Sequence, residues 1–441
     1  MANAFISILG TNKYQKSRYK LNGEEPSDVV TFVQEYLVYR FAKEWNDEDE
    51  IRIYLTDKAR ETNWFDDKKN NNDEKLMRKL QQLKIKAKIK DISIPVGSSE
   101  NEIWEIFLTI YDSFRDNEKV IIDVTHSFRY LPMLLITLLS YAKIMKRIDI
   151  LGIYYGAFEA LGDIDTVKNI PENDRIAPVF NLKSFSDLQT WTIAVNNFIE
   201  NGITNDLEKL TKKEISDLYR YNIERNKQVI DNLGKYVRNI NSIFKNIQFC
   251  RGDDIIKYDY EKVNNIYENI KCELKDVTIK PLIPLLDKID QKINEFSTNN
   301  VLNGFIAVDW CYEHNLIQQG ITILQETILS LIAQAENKDY LDNKYRELIS
   351  SALNIKCRGI NEHEWDEDAK KSYKEVKELL ENSILNKIYN EYGQLTELRN
   401  DINHCGFRNN KLKSDKIKEN FKKIYNNIKN KINLGVKYDH S

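Results

Sequence analysis

Residues 120–134 read Val120-Ile121-Ile122-Asp123-Val124-Thr125-His126-Ser127-Phe128-Arg129-Tyr130-Leu131-Pro132-Met133-Leu134. The short apolar run, bounded by polar residues, describes a strand buried on both faces, the kind that parallel sheets use. A polar turn from Asp123 to Arg129 follows, and from Phe128 to Met145 the pattern is helical. A strand that passes through a polar turn into a helix is half of a β-α unit.

Similar units lie on either side. Ala4–Leu9 is an apolar run that ends at Gly10, Ile51–Leu55 alternates with period two, and Ile89–Val96 and Ile148–Tyr155 read as further strands. Between them, Val29, Val30, Val33, Leu37 and Phe41 have helical spacing, with Ser27 and Asp28 as cap candidates. Asp73–Leu83 reads as a helix. Another opens at Gly97-Ser98-Ser99, where Ser99 and Glu102 have the spacing of a capping box. The expected fold class is an α/β N-terminal Rossmann-like domain with a mostly parallel sheet covered by helices on both faces, over residues 1–183.

After Pro178 the pattern becomes helical almost throughout. A helical connector is expected over 184–299, with breaks at Pro281, Pro284 and Ser297–Asn300. An all-α bundle of four or more helices is expected over 300–441.

Composition narrows the classes. The chain has 441 residues, 41% hydrophobic and 30% charged, which excludes a collagen-like chain and argues against a mostly disordered one. Its 65 Lys and Arg nearly balance 68 Asp and Glu, so any nucleic-acid site must be local. Five scattered cysteines (Cys250, Cys272, Cys311, Cys357 and Cys405) form no CxxC pair, which fits a reducing cytosol. The first residues lack a cleavage signal, and Leu131–Met145 is too short to span a bilayer. A cytoplasmic protein without a membrane segment is expected.

Three constellations could carry chemistry. In an open α/β sheet, ligands bind beyond the carboxyl ends of the strands where the strand order reverses. Thr125, His126, Ser127, Phe128 and Arg129 occupy such an end, and the helix start behind them favours anions. A helix cap by Thr125 or Ser127, with a hydrogen-bonded His126, explains the same residues without a ligand. Gly10, Thr11 and Asn12 follow the first strand, and alone they are an ordinary turn. With strand order 3-2-1-4 the ends of strands 1 and 4 lie side by side, so both loops would line one crevice. Gly97 and Ser98 after strand 3, and Tyr155 and Gly156 at the end of strand 5, share that edge.

The third is Arg399-Asn400-Asp401-Ile402-Asn403-His404. Leu395, Leu398 and Ile402 give it an apolar stripe that fixes a helix. Arg358 and His363 have the same spacing, but Gly359 puts them in a loop. Residues five apart on a helix are separated by about 140°, so Arg399 and His404 make no compact site within one copy. Two copies across a symmetric dimer could bring two such pairs together. That composite suits metal-free RNA cleavage, with His404 moving the proton and Arg399 steadying the phosphorane. A surface arginine and a histidine buried beside Cys405 are the structural alternative. From Arg408 to Lys431 there are 9 Lys and Arg against 2 Asp and Glu, a run that could attract phosphates. His363-Glu364-Trp365-Asp366-Glu367 reads as a loop, His314 as a structural residue in a Trp310–Gln319 helix, and no metal set is expected.

Together these stretches resemble the CRISPR-associated proteins with a DxTHG motif, which pair an N-terminal CARF domain with a C-terminal HEPN domain. The resemblance lies in Ser7–Tyr14 (SILGTNKY), Ile94–Phe107 (IPVGSSENEIWEIF), Ile121–Leu134 (IIDVTHSFRYLPML), Ile153–Ala160 (IYYGAFEA), Asp187–Gly202 (DLQTWTIAVNNFIENG) and Glu397–Phe407 (ELRNDINHCGF). It implies a ribonuclease switched on by a cyclic oligoadenylate made by a type III CRISPR complex. The activator would be cyclic tetra-adenylate, with cyclic hexa-adenylate as the alternative, bound across a homodimer or a higher oligomer. The family's ligand loops fall on Gly10, Thr11 and Asn12 and on Thr125 to Arg129. Its catalytic pair falls on Arg399 and His404, with Asn400 as companion and single-stranded RNA as substrate. Ser127 stands where that motif often ends in glycine. A sensor that does not cut, and a CARF pocket that cleaves its own ring, are the rival readings.

Overall fold

A computed structural model describes residues 2–65, 74–126, 130–221, 227–274, 282–407 and 409–433. Asp73, Ser127, Phe128, Arg129, Pro281 and Arg408, all used above, lie outside the described residues. The chain divides into two compact units, 1–189 and 190–441.

The first unit is built on seven strands: β1 (Asn3–Ile8), β2 (Arg18–Leu21), β3 (Glu50–Leu55), β4 (Lys88–Ser93), β5 (Lys119–Asp123), β6 (Asp149–Gly156) and β7 (Ile176–Asn181). Their order is β2-β7-β6-β5-β1-β3-β4. The five expected strands are present, the first four of them in the order 3-2-1-4 considered above, and β1 pairs in parallel with both β3 and β5. The register sets Ser7 opposite Asp123. Among the seven strands described, β6 and β7 are the one antiparallel pair.

Successive residues on a strand face opposite sides of the sheet. Phe5 and Ile121 therefore enter one core with helices α1 (Val33–Ala42) and α2 (Leu76–Gln82), through Leu37 and Leu80. Ile6 and Ile122 enter the other, with α3 (Glu100–Ser113) and α4 (Leu131–Met145), through Ile106 and Leu135. Each such buried side chain contributes about 1.5–3 kcal/mol. At the amino edge the charge is internally matched. Buried Arg52 donates to Glu118 at 2.7 and 2.9 Å and to Glu50 at 2.8 Å. Cutting one partner away would strand the others.

Several local expectations are corrected. Ser27 and Asp28 do not cap a helix. Val30 instead bridges antiparallel to Ser17, and α1 starts at Val33, where the Glu35 carboxyl accepts the Thr31 and Phe32 amides at 3.0 and 2.9 Å. Ser99 does cap α3, but Glu102 turns its carboxyl to the amides of Gly97 and Ser98, 2.9 and 2.8 Å away. β2 and β7 were not expected from the sequence.

The second unit is helical. Helix α5 (Lys183–Asn201) passes through the boundary between the units. It is followed by α6 (Asn205–Tyr221), α7 (Lys227–Gln248), α8 (Gly252–Lys257), α9 (Tyr260–Leu274), α10 (Leu282–Ile293), α11 (Asn303–Glu313), α12 (Ile317–Ala335), α13 (Asn343–Arg358), α14 (Tyr373–Glu381), α15 (Ser383–Asn403) and α16 (Ser414–Lys431). Pro284 does not break α10, because it sits in the helix's first turn, where no intrahelical donor is lost. His314 caps α11 rather than lying inside a longer helix, and Asn315, with φ +58°, turns the chain into α12. One core runs from Trp191 to Ile428. Trp310 packs on Phe244 and Phe198, with ring centroids 4.2 and 5.2 Å away, so helices on both sides of the expected 299/300 boundary share that core. Among the described residues, no helix is long and apolar enough to cross a membrane.

Candidate functional sites

The strand order reverses between β1 and β5, and the chain segments leaving those strands meet. A methyl group added to Gly10 would stand 3.4 Å from the His126 Cβ and 2.7 Å from the Tyr14 hydroxyl. Gly10 therefore lets the loop approach the turn. Its amide donates to Tyr14 Oη at 2.9 Å. A five-residue π-helical turn after β3, Arg60–Trp64, presents Asn63, whose Nδ2 donates to the carbonyls of Gly10 and Asn12 at 2.7 and 2.9 Å. This clamp holds the loop carrying Thr11 and Asn12. Nothing in the ETNW stretch marks Asn63 beforehand; π-helical turns have no composition signature, though they recur at functional sites.

Beneath the loop lies a buried polar chain. Gln34 Nε2 donates to Ser7 Oγ at 3.0 Å, and Ser7 Oγ donates to Asp123 Oδ2 at 2.7 Å. Thr125 donates its amide and hydroxyl to Asp123 Oδ1 at 3.0 and 2.5 Å. The Gly156 amide donates to Thr125 Oγ1 at 2.8 Å, tying the end of β6 to the turn after β5. Burial raises the Asp123 pKa, and the hydrogen bonds from Thr125 and Ser7 oppose that rise. The Thr125 hydroxyl proton is thus already committed to Asp123.

His126 is different. Its ring meets Tyr14 edge-on with centroids 4.3 Å apart, and its Nε2 is buried without a hydrogen-bond partner among the described residues. Burial pushes its pKa down to about 3, so the ring is neutral near pH 7. An orphaned buried ring nitrogen calls for an explanation, and a bound group that completes it is one.

Gly97 reaches the same region through Tyr130, whose hydroxyl donates to the Val96 carbonyl at 3.2 Å. The amides of Gly97 and Ser98 are held by the Glu102 carboxylate, which in this conformation takes the place a ligand anion would need. Tyr155 is half-buried and hydrogen-bonds the Glu159 carboxyl, which together with burial raises its pKa to about 12.

The second site ends α15. Leu395 and Leu398 are buried, as the apolar stripe requires. Arg399 Nη1 donates to Gln325 Oε1 at 2.7 Å, and Gln325 Nε2 donates to Thr396 Oγ1 at 2.9 Å. Arg399 Nε is buried with no hydrogen-bond partner among the described residues. The Asn400 carbonyl accepts the His404 amide at 3.0 Å. Cys405 and Gly406, with φ of +52° and +67°, turn the chain sharply and leave the His404 side chain exposed. A histidine buried beside Cys405 is therefore excluded. No hydrogen bond joins Arg399 to His404 among the described residues, in keeping with their angular separation. Arg358 and His363 are parted by the left-handed Gly359, as expected. Part of the basic run is structural: Lys429 pairs with Asp309 at 3.1 Å and Lys431 with Glu391 at 2.8 Å.

Residues 4–159 match the family described as CRISPR system endoribonuclease Csx1, CARF domain. Over 249 residues the chain is 22% identical to a CRISPR-associated protein of Methanocaldococcus jannaschii, a match covering 55% of this chain and 34% of that protein. The chain thus spans about a third of that relative's length. The doubly wound sheet and the crevice between the ends of β1 and β5 agree with this match: residues 4–159 are similar to the CARF domain of that family.

Proposed function

We propose that the chain is a cyclic-oligoadenylate-activated, metal-independent endoribonuclease of type III CRISPR antiviral defence. In this reading residues 1–183 sense the ring, 184–299 relay the signal, and 300–441 form a HEPN bundle that cuts single-stranded RNA in the cytoplasm. The observation that carries the nuclease reading is Arg399, with an Nε–H unclaimed among the described residues and a guanidinium oriented by Gln325, on the last turn of a helix that ends in an exposed His404.

Its chemistry follows from those groups. The ribose 2′-hydroxyl attacks the adjacent phosphorus, and the 5′-oxygen leaves. His404 takes the hydroxyl proton or supplies one to the leaving oxygen, while Arg399 donates to the phosphorane oxygens. The two roles need two groups, which the paired sites of a homodimer supply. Exposed apolar side chains on the CARF unit, Trp104 and Leu108 on α3 and Met133, Ile136 and Ile144 on α4, support self-association. At the sheet edge, the neutral His126 and the Gly10 loop would receive the ring. It must bind the active arrangement more tightly than the resting one to shift it.

A fluorescent single-stranded RNA assay in EDTA, with cyclic tri-, tetra- and hexa-adenylate added separately, tests this. Cleavage with cyclic tetra-adenylate is expected. Silence with all three rings would overturn it.

A further inference from the structure

We propose that the groove between α13, α15 and α16 seats the RNA strand and that Asp401 selects bases bearing an exocyclic amino group, so that uridine is disfavoured. The inference rests on the RNA-cleaving reading above and deepens it.

The groove encloses about 1130 Å³ within the helical unit. That is above the roughly 300–1,000 Å³ of small-molecule pockets and suits a polymer segment. Gly393 opens it from below, since a methyl group there would collide with Cys357 Sγ at 2.3 Å, so α13 and α15 approach closely. One wall is a single stripe of α15: Asn390, Gln394, Glu397 and Asp401, spaced four, three and four apart. His404 is the next position on that stripe, three residues beyond Asp401. A strand lying along the stripe therefore leads to His404. Lys423 and Arg358 on the other walls offer cations to its phosphates.

Asp401 gives the groove its selectivity. The residue is 5% exposed and lines the groove. Its Oδ2 accepts the Leu412 amide at 3.2 Å, which fixes the carboxyl group, while its Oδ1 has no partner among the described residues. An oriented, desolvated acceptor binds a donor and rejects a carbonyl. Single-stranded RNA is read on such exposed base edges, and aspartate is an acceptor for the cytosine amino group. Cytosine, adenine and guanine carry an exocyclic amine; uracil has carbonyl oxygens in its place.

The test is binding, so that it stands apart from cleavage. Fluorescence anisotropy would compare 2′-fluoro cytidine and uridine hexamers, which cannot undergo 2′-hydroxyl attack, on the full chain. Cytidine should bind about tenfold more tightly, the discrimination of one good base contact. In Asp401→Asn the amide oxygen can keep Leu412 while its NH₂ replaces Oδ1 as a donor, so the preference should invert toward uridine. Equal affinity for the two hexamers, no binding of either, or an unchanged ratio in a folded Asp401→Asn chain would each overturn the proposal. If Asp401→Asn fails to fold, an N4,N4-dimethylcytidine hexamer on the wild-type chain decides instead. Binding as weak as uridine supports the proposal, and binding as tight as cytidine overturns it. Ring-activated cleavage with no base preference would sink the groove and leave the nuclease reading standing. A preference that inverts, in a chain that never cuts, would do the reverse.

Discussion

The His126 imidazole meets Tyr14 edge-on, with ring centroids 4.3 Å apart, while its Nε2 has no hydrogen-bond partner among the described residues. Burial holds this histidine neutral, with a pKa of about 3 against an ordinary 6.5. The unfolded chain therefore takes up a proton below about pH 6.5 that the folded chain refuses. Its share of stability is fully present above that pH and is lost as pH falls toward 3, at up to about 1.4 kcal/mol per pH unit. Buried Asp123, shifted upward, acts in the opposite sense, so the contribution is isolated by comparing wild type with His126→Gln. Urea unfolding between pH 4 and 8 should show a shallower acid loss in the variant. Parallel curves would contradict the burial of a neutral ring.

Thr125 joins Asp123 to Gly156, and removing its hydroxyl leaves the buried Gly156 amide without its acceptor and takes one hydrogen bond from buried Asp123. Thr125→Val should cost about 1–3 kcal/mol and raise the ring concentration needed for activation. An unchanged activation curve in a folded variant would remove Thr125 from the sensing site.

Gly97 has φ +78°, and a methyl group there would lie 1.8 Å from the Tyr130 hydroxyl. Gly97→Ala should destabilise by about 1–3 kcal/mol from backbone conformation and overpacking together. Adding Tyr130→Ala should relieve the clash and leave the backbone term, so the double variant should cost less than the sum of the two singles. Additive losses in urea unfolding would contradict the contact.

His404→Ala removes an exposed side chain, so stability should stay within about 0.5 kcal/mol while cleavage falls to background and ring binding persists. Arg399→Lys should also lose most activity, since an ammonium cannot hold Gln325 and a phosphate oxygen in one fixed fork. Full cleavage by either variant would refute the assignment.

The sequence made the doubly wound half readable wherever a strand was buried on both faces. β1, β3, β5 and β6 are apolar runs, and the β-α rhythm between them implied a mostly parallel sheet. β2 escaped because Arg18–Leu21 is four residues of mixed polarity at a sheet edge. β7 escaped because Pro178 argues against a strand and because β7 joins the sheet antiparallel, outside the β-α repeat. The start of α1 was misplaced because the Glu35 carboxyl caps it from within, whereas the apolar spacing extends back through Val29 and Val30. Arg399 and His404 stood out through residue type and spacing. Asn63 and the groove face of Asp401 did not, because both depend on segments distant in sequence: Asn63 meets the Gly10 loop, and Asp401 faces α13 and α16.

On the proposed reading, ring occupancy in one unit switches cleavage in the other. A single titration of cyclic tetra-adenylate, following heat of binding and cleavage of a labelled single-stranded RNA in the same preparation, tests it most directly. The cleavage rate should rise in step with occupancy and saturate with it. A ring that saturates its site while the RNA stays intact, or RNA that is cut at the same rate without the ring, would contradict it.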